Sequence, residues 1–322
     1  MVKITITENE NNQRLDRFLK KYLKNASLSY IYKLIRKDLK VNGKRAAVET
    51  LLNQGDELTF YLSEEELTIL SQRKQKHHAK KQFGIAYEDE NILIAEKPFG
   101  LLTHGDAREK KNHLANQVIS YLQDKGEYSP SRERTFVPSP ANRLDRNTTG
   151  LVVFGKNSQA LQELNRMIRE KGYVSKYYLT IVSGHLEEEL ELRSRMEKDE
   201  IKNRVKVIPE NQQGRLMETI ARPLAYSHGY SLVEVNLITG RTHQIRAHLA
   251  SAGYPIIGDS KYGDPRVNSD IKARFGLTTQ FLHAYKLVFQ RGSGILSYLS
   301  GTAVEGRLPE RLDTIKKGIF GN

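Results

Sequence analysis

The chain has 322 residues and contains no cysteine and no tryptophan. Without thiols it cannot form disulfides, cysteine-based zinc sites, iron–sulfur clusters or a cysteine nucleophile. It also lacks the run of about 18 apolar residues that a membrane-spanning helix needs. The first residues, MVKITITENENN, include neither the basic nor the apolar segment of a secretory signal. We therefore expect a cytoplasmic protein with no membrane partner.

Motifs for nucleotide cofactors and for metals are missing as well. Gly43-Lys44 lacks the upstream glycine and the following Ser or Thr of a phosphate-binding loop, and the GSGILS segment at 292–297 lacks the third glycine of a dinucleotide fingerprint. His243 and His248 are predicted to share a helix, where five residues place them about 140° apart. That separation does not fit a zinc pair, so we expect no cofactor and no metal.

The balance of charge is strongly basic. Lys and Arg number 51 against 38 for Asp and Glu, which gives a formal net charge of +13. Such an excess favours a polyanionic partner, and nucleic acid is the first candidate. The length predicts two domains at about 150 residues each.

Residues 1–62 have the pattern of a small unit made of two helices and a hairpin. The first helix is predicted from the spacing of Leu15, Phe18 and Leu19, and the second begins after Ser29 as its N-cap. An Asn42-Gly43 turn follows. Four basic residues of this unit are the candidate RNA contacts: Lys33, Arg36, Lys37 and Lys44.

Residues 63–82 are predicted to be a linker. An acidic run at 64–66 precedes a basic stretch that no acidic residue interrupts between 71 and 82. Runs of like charge are usually disordered or mobile. The linker is either a basic tether for phosphates or an inert solvated segment.

Residues 83–322 form the predicted larger domain. Apolar or alternating stretches predict strands at Ile92–Ala95, Leu151–Phe154, Val174–Val182 and Tyr230–Ile238. A helix is predicted from Ser158, as its N-cap, to Lys171. There is no internal repeat and no strict βαβ alternation, so the fold class is α+β with an antiparallel or mixed sheet.

The densest chemical signal is NRLDRNTTGLV at 142–152. Asp145 lies between Arg143 and Arg146, directly before an apolar strand. Positive neighbours favour the ionised carboxylate, so Asp145 is expected to be charged. An ionised Asp among arginines is either part of a structural salt bridge or a poised nucleophile.

A second signal, TGRTHQIRAHL at 239–249, opens a predicted helix that ends near Gly253. Its apolar residues are spaced to face the core. Arg241, His243, Gln244 and Arg246 are then free for polar contacts. A helix start with extra arginines suits an anion, either a phosphate or the carboxylate of Asp145. The alternative is a basic surface helix.

A third signal is the pair Tyr177 and Tyr178 on a predicted strand. Adjacent strand residues face opposite ways, so one tyrosine faces a core or a cleft. In a cleft it can stack on a flipped base. Packing within the sheet is the alternative.

In this order, the three motifs resemble the RluA-type pseudouridine synthase family. The match includes EKPFGLL at 96–102, Gly258-Asp259 and Tyr262-Gly263. Residues 14–62 resemble the alpha-L RNA-binding module of several RNA-modifying enzymes. Two departures are Asn142, where the family often has His, and Thr149, where it often has Ser.

The resemblance implies a pseudouridine synthase catalytic domain and roles for particular residues. Asp145 would be the essential catalytic residue, Tyr178 would stack on the uracil, and Arg246 would pair with Asp145. Arg143 would enter the space left by the flipped nucleotide. Independently of the resemblance, Arg241 and His243 are candidate RNA contacts because the helix pattern leaves them free for polar contacts.

The implied reaction detaches uracil from the ribose and rejoins it through C5, without a cofactor. The implied partner is RNA, and large-subunit ribosomal RNA is favoured over tRNA because of the N-terminal module. A monomer is expected. Two rivals stay open, a non-catalytic RNA-binding or ribosome-assembly factor and a nuclease. A nuclease normally clusters carboxylates around metal ions, whereas Asp145 has arginine neighbours.

Overall fold

The computed structural model describes residues 1–72, 78–130, 133–199 and 204–321. The strands are β1 (Val2–Thr5), β2 (Gln13–Arg14), β3 (Leu39–Val41), β4 (Leu51–Leu52), β5 (Glu57–Phe60), β6 (Gly84–Glu88), β7 (Ile92–Lys97), β8 (Ser139–Pro140), β9 (Thr149–Gly155), β10 (Val174–Ser183), β11 (Leu190–Asp199), β12 (Arg204–Ile208), β13 (Arg215–Ser227), β14 (Tyr230–Leu237), β15 (Leu282–Phe289) and β16 (Thr302–Glu305). The helices are α1 (Leu15–Tyr22), α2 (Leu28–Lys37), α3 (Glu64–Ser71), α4 (Leu114–Asp124), α5 (Ser158–Arg169), α6 (Gln244–Ser251), α7 (Pro265–Phe275) and α8 (Glu310–Phe320), with 3-10 turns at Glu8–Glu10 and Gly294–Leu299.

The N-terminal strands and helices enclose their own apolar core. Strands β1, β5 and β3 form an antiparallel sheet, and Leu15, Phe18 and Leu34 are buried between this sheet and helices α1 and α2. The N-cap of α2 is Ser27, not Ser29 as predicted. Its hydroxyl accepts a hydrogen bond from the Tyr30 amide at 3.2 Å. Ser29 already lies inside the first helical turn, where its side chain cannot cap.

The segment 63–82 differs from the predicted linker. Its first part is helix α3, which begins with a capping box between Ser63 and Glu66 and buries Leu67 against the N-terminal core. Acidic residues favour the positive end of a helix dipole, so the run at 64–66 marks a helix start. Residues 73–77, the centre of the basic stretch, lie outside the described residues. Beyond them, the Ala79 amide bonds to Ser120 on α4.

The rest of the described chain is built on one mixed sheet. Within the described residues it has 11 strands, in the order β12-β11-β13-β14-β10-β15-β9-β7-β6, with β16 beside β15 and β8 beside β9. Neighbouring described strands are antiparallel except β9 and β15, which run parallel. This arrangement confirms the predicted α+β class with a mixed sheet.

Both faces of the sheet are covered, as the alternation along β9 illustrates. Val152 and Phe154 join the core under α4, α6, α7 and α8, whereas Leu151 and Val153 join the core under α5. Helix α5 starts at Ser158, but its N-cap is Asn157, whose side chain accepts from the Ala160 amide. The predicted cap is therefore one residue late.

The close contact between the parallel strands β9 and β15 requires a glycine at position 150. Gly150 has φ +112°, and a Cβ there would lie 2.1 Å from the Ala284 carbonyl oxygen. The junction thereby places the end of the Asp145 loop directly against β15. Among the described residues, no helix has the length and apolar character to cross a bilayer.

Polar contacts connect the N-terminal unit to the larger one. Asn9 donates to Glu133 at 2.7 Å and accepts from the Ser158 amide at 3.2 Å. Glu10, which is 1% exposed, accepts from the Thr135 hydroxyl at 3.3 Å. The basic residues of α2 are exposed on the same N-terminal unit.

Candidate active site

A cavity of about 230 Å³ lies where three parts of the larger unit meet. The loop before β9 contributes Asp145, the start of β10 contributes Lys176 and Tyr178, and the segment entering α6 contributes Arg246. All three predicted signals therefore converge on one cavity, although they are far apart in sequence.

The loop that carries Asp145 is fixed by buried polar contacts. The Thr103 hydroxyl donates to the Leu144 carbonyl at 3.0 Å and accepts from the Leu144 amide at 3.1 Å. The Thr148 amide donates to the Asp145 carbonyl at 3.1 Å. Backbone atoms on both sides of Asp145 are thus held in place, which orients its side chain towards the cavity.

The buried side chain of Lys97 also holds the loop that carries Asp145. This side chain is 1% exposed, and its ammonium donates to the carbonyls of Pro98, Leu101 and Arg146 at 3.1, 2.8 and 2.9 Å. Burial lowers the pKa of Lys97 to about 7, while the charge of Asp145 opposes that shift. Sequence patterns alone did not predict this role of Lys97, which entered only as part of the EKPFGLL match.

Arg246 joins two carboxylates. Its guanidinium donates to Asp145 at 3.0 Å and makes two bonds to Asp259, at 2.7 and 2.8 Å. Burial disfavours the charged forms of Arg246 and Asp259. The hydrogen bonds and opposite charges of the pair outweigh burial, so the pKa of Arg246 is raised and the pKa of Asp259 is lowered. The contact expected between Arg246 and Asp145 is present, and Asp259 is the residue that the motifs alone did not assign.

Asp145 is the accessible member of this group. Its side chain is 23% exposed, against 0% for Asp259. A carboxylate that is held by one guanidinium and still opens into a cavity has the geometry of a nucleophile or a base.

His243 flanks this carboxylate and does not belong to the helix. It has φ +53° and forms the N-cap of α6, so the prediction that it shares a helix with His248 is wrong. Its Nε2 lies 3.9 Å from Asp145, and its Nδ1 lies 3.1 Å from the Tyr262 hydroxyl. Burial lowers the pKa of His243.

Two other residues of the second motif are structural. Gln244 is buried and donates to the Glu218 carbonyl and to the Thr219 hydroxyl, so it is not free as predicted. His248 is buried between the hydroxyls of Ser194 and Thr219 at 2.7 and 2.8 Å, and burial lowers its pKa to about 4. Because α6 packs against the sheet, its face that carries Gln244 and His248 is directed into the protein interior.

Tyr178 lines the cavity, as the alternation of strand residues predicted for one of the two tyrosines. It is 5% exposed, and burial together with the nearby Asp145 raises its pKa. The hydroxyl is therefore neutral at pH 7. Ile168, Leu237 and Leu282 add apolar walls to the same cavity, so a planar base fits its chemistry.

The predicted RNA contacts fall into two groups. Arg143 and Arg241 are exposed and line the cavity. Lys33, Arg36 and Lys37 are exposed on α2, and Lys44 is exposed just after the Asn42-Gly43 turn, all in the N-terminal unit. The structure does not bring this second group into the cavity.

Asn142, where the related family often has His, serves the backbone. Its side chain donates to the Leu151 carbonyl at 3.2 Å and accepts from the Val153 amide at 2.9 Å. This side chain pairs with β9 as an additional strand residue would, and so holds the Asp145 loop to the sheet.

Comparison with known proteins agrees with this geometry. A family model described as RNA pseudouridylate synthase matches residues 91–251, which include Asp145, Tyr178 and Arg246. Ribosomal large subunit pseudouridine synthase C of Vibrio cholerae serotype O1 is 34% identical over 293 residues, covering 89% of this chain and 88% of that protein. The protein of the same name from Escherichia coli K12 is 33% identical over 310 residues, covering 94% and 93%.

Solved structures support the fold. Human RNA pseudouridylate synthase domain containing 4 has a TM-score of 0.55 at 21% identity, covering 72% of this chain and 91% of that one. Human RNA pseudouridylate synthase domain containing 1 has a TM-score of 0.51 at 20% identity, covering 76% and 97%. The chain belongs to the RNA pseudouridylate synthase family. It is a pseudouridine synthase of the RluA type, an isomerase.

Proposed function

We propose that this enzyme isomerises uridine in large-subunit ribosomal RNA, with Asp145 as its catalytic carboxylate. The observation that carries the proposal is the Arg246 guanidinium, which holds Asp145 at 3.0 Å at the edge of a cavity that also contains Tyr178. The relatives from Vibrio cholerae and Escherichia coli carry that ribosomal substrate in their names and align over most of the chain.

The target uridine must leave the RNA helix before it can enter a cavity of this size. Arg143, exposed at the cavity, is suited to fill the space that the base leaves. Exposed Arg241 and half-buried His243 line the same cavity and are suited to contact the RNA next to the target. Tyr178 forms the wall on which the uracil stacks, as aromatic residues do with flipped bases.

Asp145 then acts on the sugar. It either attacks C1′ or removes the proton from C2′, and in both cases the N1–C1′ bond breaks. The detached uracil turns and its C5 joins C1′. This step breaks the Asp145–C1′ bond in the first route and is accompanied by return of the proton to C2′ in the second. The proton on C5 is then lost, and N1 takes up a proton. Arg246 keeps Asp145 oriented, while the contacts of the Thr103 and Lys97 side chains with the backbone hold the loop in place.

The N-terminal unit supplies affinity in this proposal. Residues 1–62 act as an alpha-L RNA-binding domain, whose exposed Lys33, Arg36, Lys37 and Lys44 contact phosphates. The catalytic domain follows from residue 83. The polar contacts of Asn9 and Glu10 with residues 133–158 fix the position of the basic surface relative to the cavity.

The substrate is tested with unmodified RNA labelled with tritium at C5 of uridine. Large-subunit ribosomal RNA and tRNA are incubated separately with the wild-type protein. Faster release of tritium from ribosomal RNA supports the proposal. Faster release from tRNA assigns the enzyme to tRNA and overturns the ribosomal part of it.

A further inference from the structure

Lys176 lines the cavity and has no ion-pair partner among the described residues. It is 7% exposed and precedes Tyr178, another lining residue, by two positions on β10. Within the part of the chain that the structure describes, no hydrogen bond or ion pair joins the Lys176 side chain to another residue. Burial lowers the pKa of Lys176.

A buried cation without a partner is costly, because it loses hydration and gains no compensating contact. The other buried lysines of the described chain are compensated. Lys97 has three carbonyls, and Lys156 pairs with Glu88 and Glu127 at 3.1 and 2.6 Å. Lys176 is therefore suited to bind an anionic group that the substrate supplies.

The reaction supplies a transient anion in this cavity. When the N1–C1′ bond breaks, its electron pair stays on the uracil, which becomes an anion with charge on N1, O2 and O4. Formation of the C5–C1′ bond uses an electron pair of that anion, and the proton released from C5 is balanced by one taken up at N1. A base stacked on Tyr178 lies along the same strand face as Lys176, because residues i and i+2 share a face.

We propose that Lys176 is a catalytic residue that donates a hydrogen bond to a uracil carbonyl oxygen and stabilises the detached uracil anion. The inference rests on the proposed stacking of uracil on Tyr178. A donor aimed at charge that develops only during the reaction acts mainly on kcat. Removal of such a donor costs about 10²- to 10³-fold in rate.

The test compares Lys176→Met with wild type under single-turnover conditions. Nucleoside chromatography follows the disappearance of uridine and of 5-fluorouridine from otherwise identical RNA. Because 5-fluorouridine has no proton on C5, this readout compares only the detachment and rejoining of the base. The variant is expected to lose about 10²-fold in rate with uridine while RNA affinity is retained. The loss is expected to be smaller with 5-fluorouridine, because fluorine withdraws electrons and stabilises the anion by itself.

Stability separates this role from a structural one. Replacing an unpaired buried charge by an apolar side chain of similar length is neutral or stabilising, so Lys176→Met should melt no lower than wild type. Lys156→Met is the matched control, since it removes a paired lysine whose side chain is only 8% exposed and which does not line the cavity. It should melt lower and retain the wild-type rate.

Three results overturn the proposal: a wild-type rate in Lys176→Met, a loss confined to RNA affinity, or an equal loss with both nucleosides. A loss confined to affinity assigns Lys176 to an RNA phosphate. The proposed function is judged separately by Asp145→Asn. If Asp145→Asn is inactive and Lys176→Met is fully active, the Lys176 proposal alone fails.

Discussion

Asp145 and Asp259 both accept hydrogen bonds from the Arg246 guanidinium, but the Asp145 side chain is partly exposed whereas that of Asp259 is buried. Arg246 donates two hydrogen bonds to the fully buried Asp259 and a third, at 3.0 Å, to Asp145, which opens into the cavity. The buried pair fixes the arginine, and the arginine in turn fixes the accessible carboxylate. In the proposed function, this order of support separates the residue that reacts, Asp145, from the residues that position it.

Replacement of Asp259 tests that division. Asp259→Asn leaves the guanidinium without its buried counter-charge, which should lower the free energy of unfolding by about 3–5 kcal/mol. It should also lower kcat more than RNA affinity, since Asp145 loses its orientation. Urea unfolding and tritium release measure the two effects. Asp270→Asn breaks an exposed pair with Arg274 and should cost at most about 1 kcal/mol. Equal stability of both variants would contradict the account.

Lys97 predicts a dependence of stability on pH. Its folded pKa is about 7, below the ordinary value of 10.5, so the unfolded chain binds more protons between these values. The free energy of unfolding should therefore rise with pH across that interval, by at most about 1.4 kcal/mol per pH unit from this group. Lys97→Met should lack that contribution. Urea unfolding of both proteins at pH 6.5 and 9.5 checks it, and an identical pH dependence would refute the assignment.

Tyr178 carries two separable properties, a ring and a hydroxyl. Tyr178→Phe keeps the ring but loses the hydroxyl, which we expect to assist removal of the C5 proton, so RNA affinity should be retained while tritium release slows. Tyr178→Leu also loses base stacking, which is worth about 1–3 kcal/mol. Filter binding and tritium release distinguish the variants. If the leucine variant binds RNA as tightly as the phenylalanine variant, Tyr178 does not stack on the base.

The basic face of α2 predicts salt-dependent affinity. Changing Lys33, Arg36 and Lys37 together to Gln should weaken RNA binding at low salt and make its logarithmic salt slope shallower by about 2 to 3 units. The residues are exposed, so the melting temperature should stay near the wild-type value. An unchanged slope would remove the N-terminal unit from the RNA interface. A triple substitution on the exposed face of α7, at Arg266, Lys272 and Arg274, serves as the charge-matched control.

Local sequence patterns predicted the structural features that depend only on residues close together in the chain. The alternation around Tyr178 placed one tyrosine of the pair in a cleft, and the apolar run at 151–154 lies within β9. Helix starts were displaced by one or two residues at α2 and α5, because several residues near each start can cap. The helix α3 was missed because its acidic first turn has the composition of a linker.

Contacts between segments that are far apart in sequence could not be predicted from local patterns. Asp259 follows Arg246 by thirteen residues and reaches it only because the chain folds back after α6. Lys97 contacts the Arg146 carbonyl across 49 residues of sequence. Spacing does not encode such contacts, and the resemblance to a known family identified Arg246 as the partner of Asp145 but left Asp259, Lys97 and Lys176 without roles.

The central claim is that Asp145 performs the reaction. The most direct measurement is release of tritium from C5 of uridine in unmodified large-subunit ribosomal RNA by wild type and by Asp145→Asn, with RNA affinity measured in parallel. The account predicts release by wild type, none above background by the variant, and equal binding by both. Release by Asp145→Asn at a rate near that of wild type would contradict it.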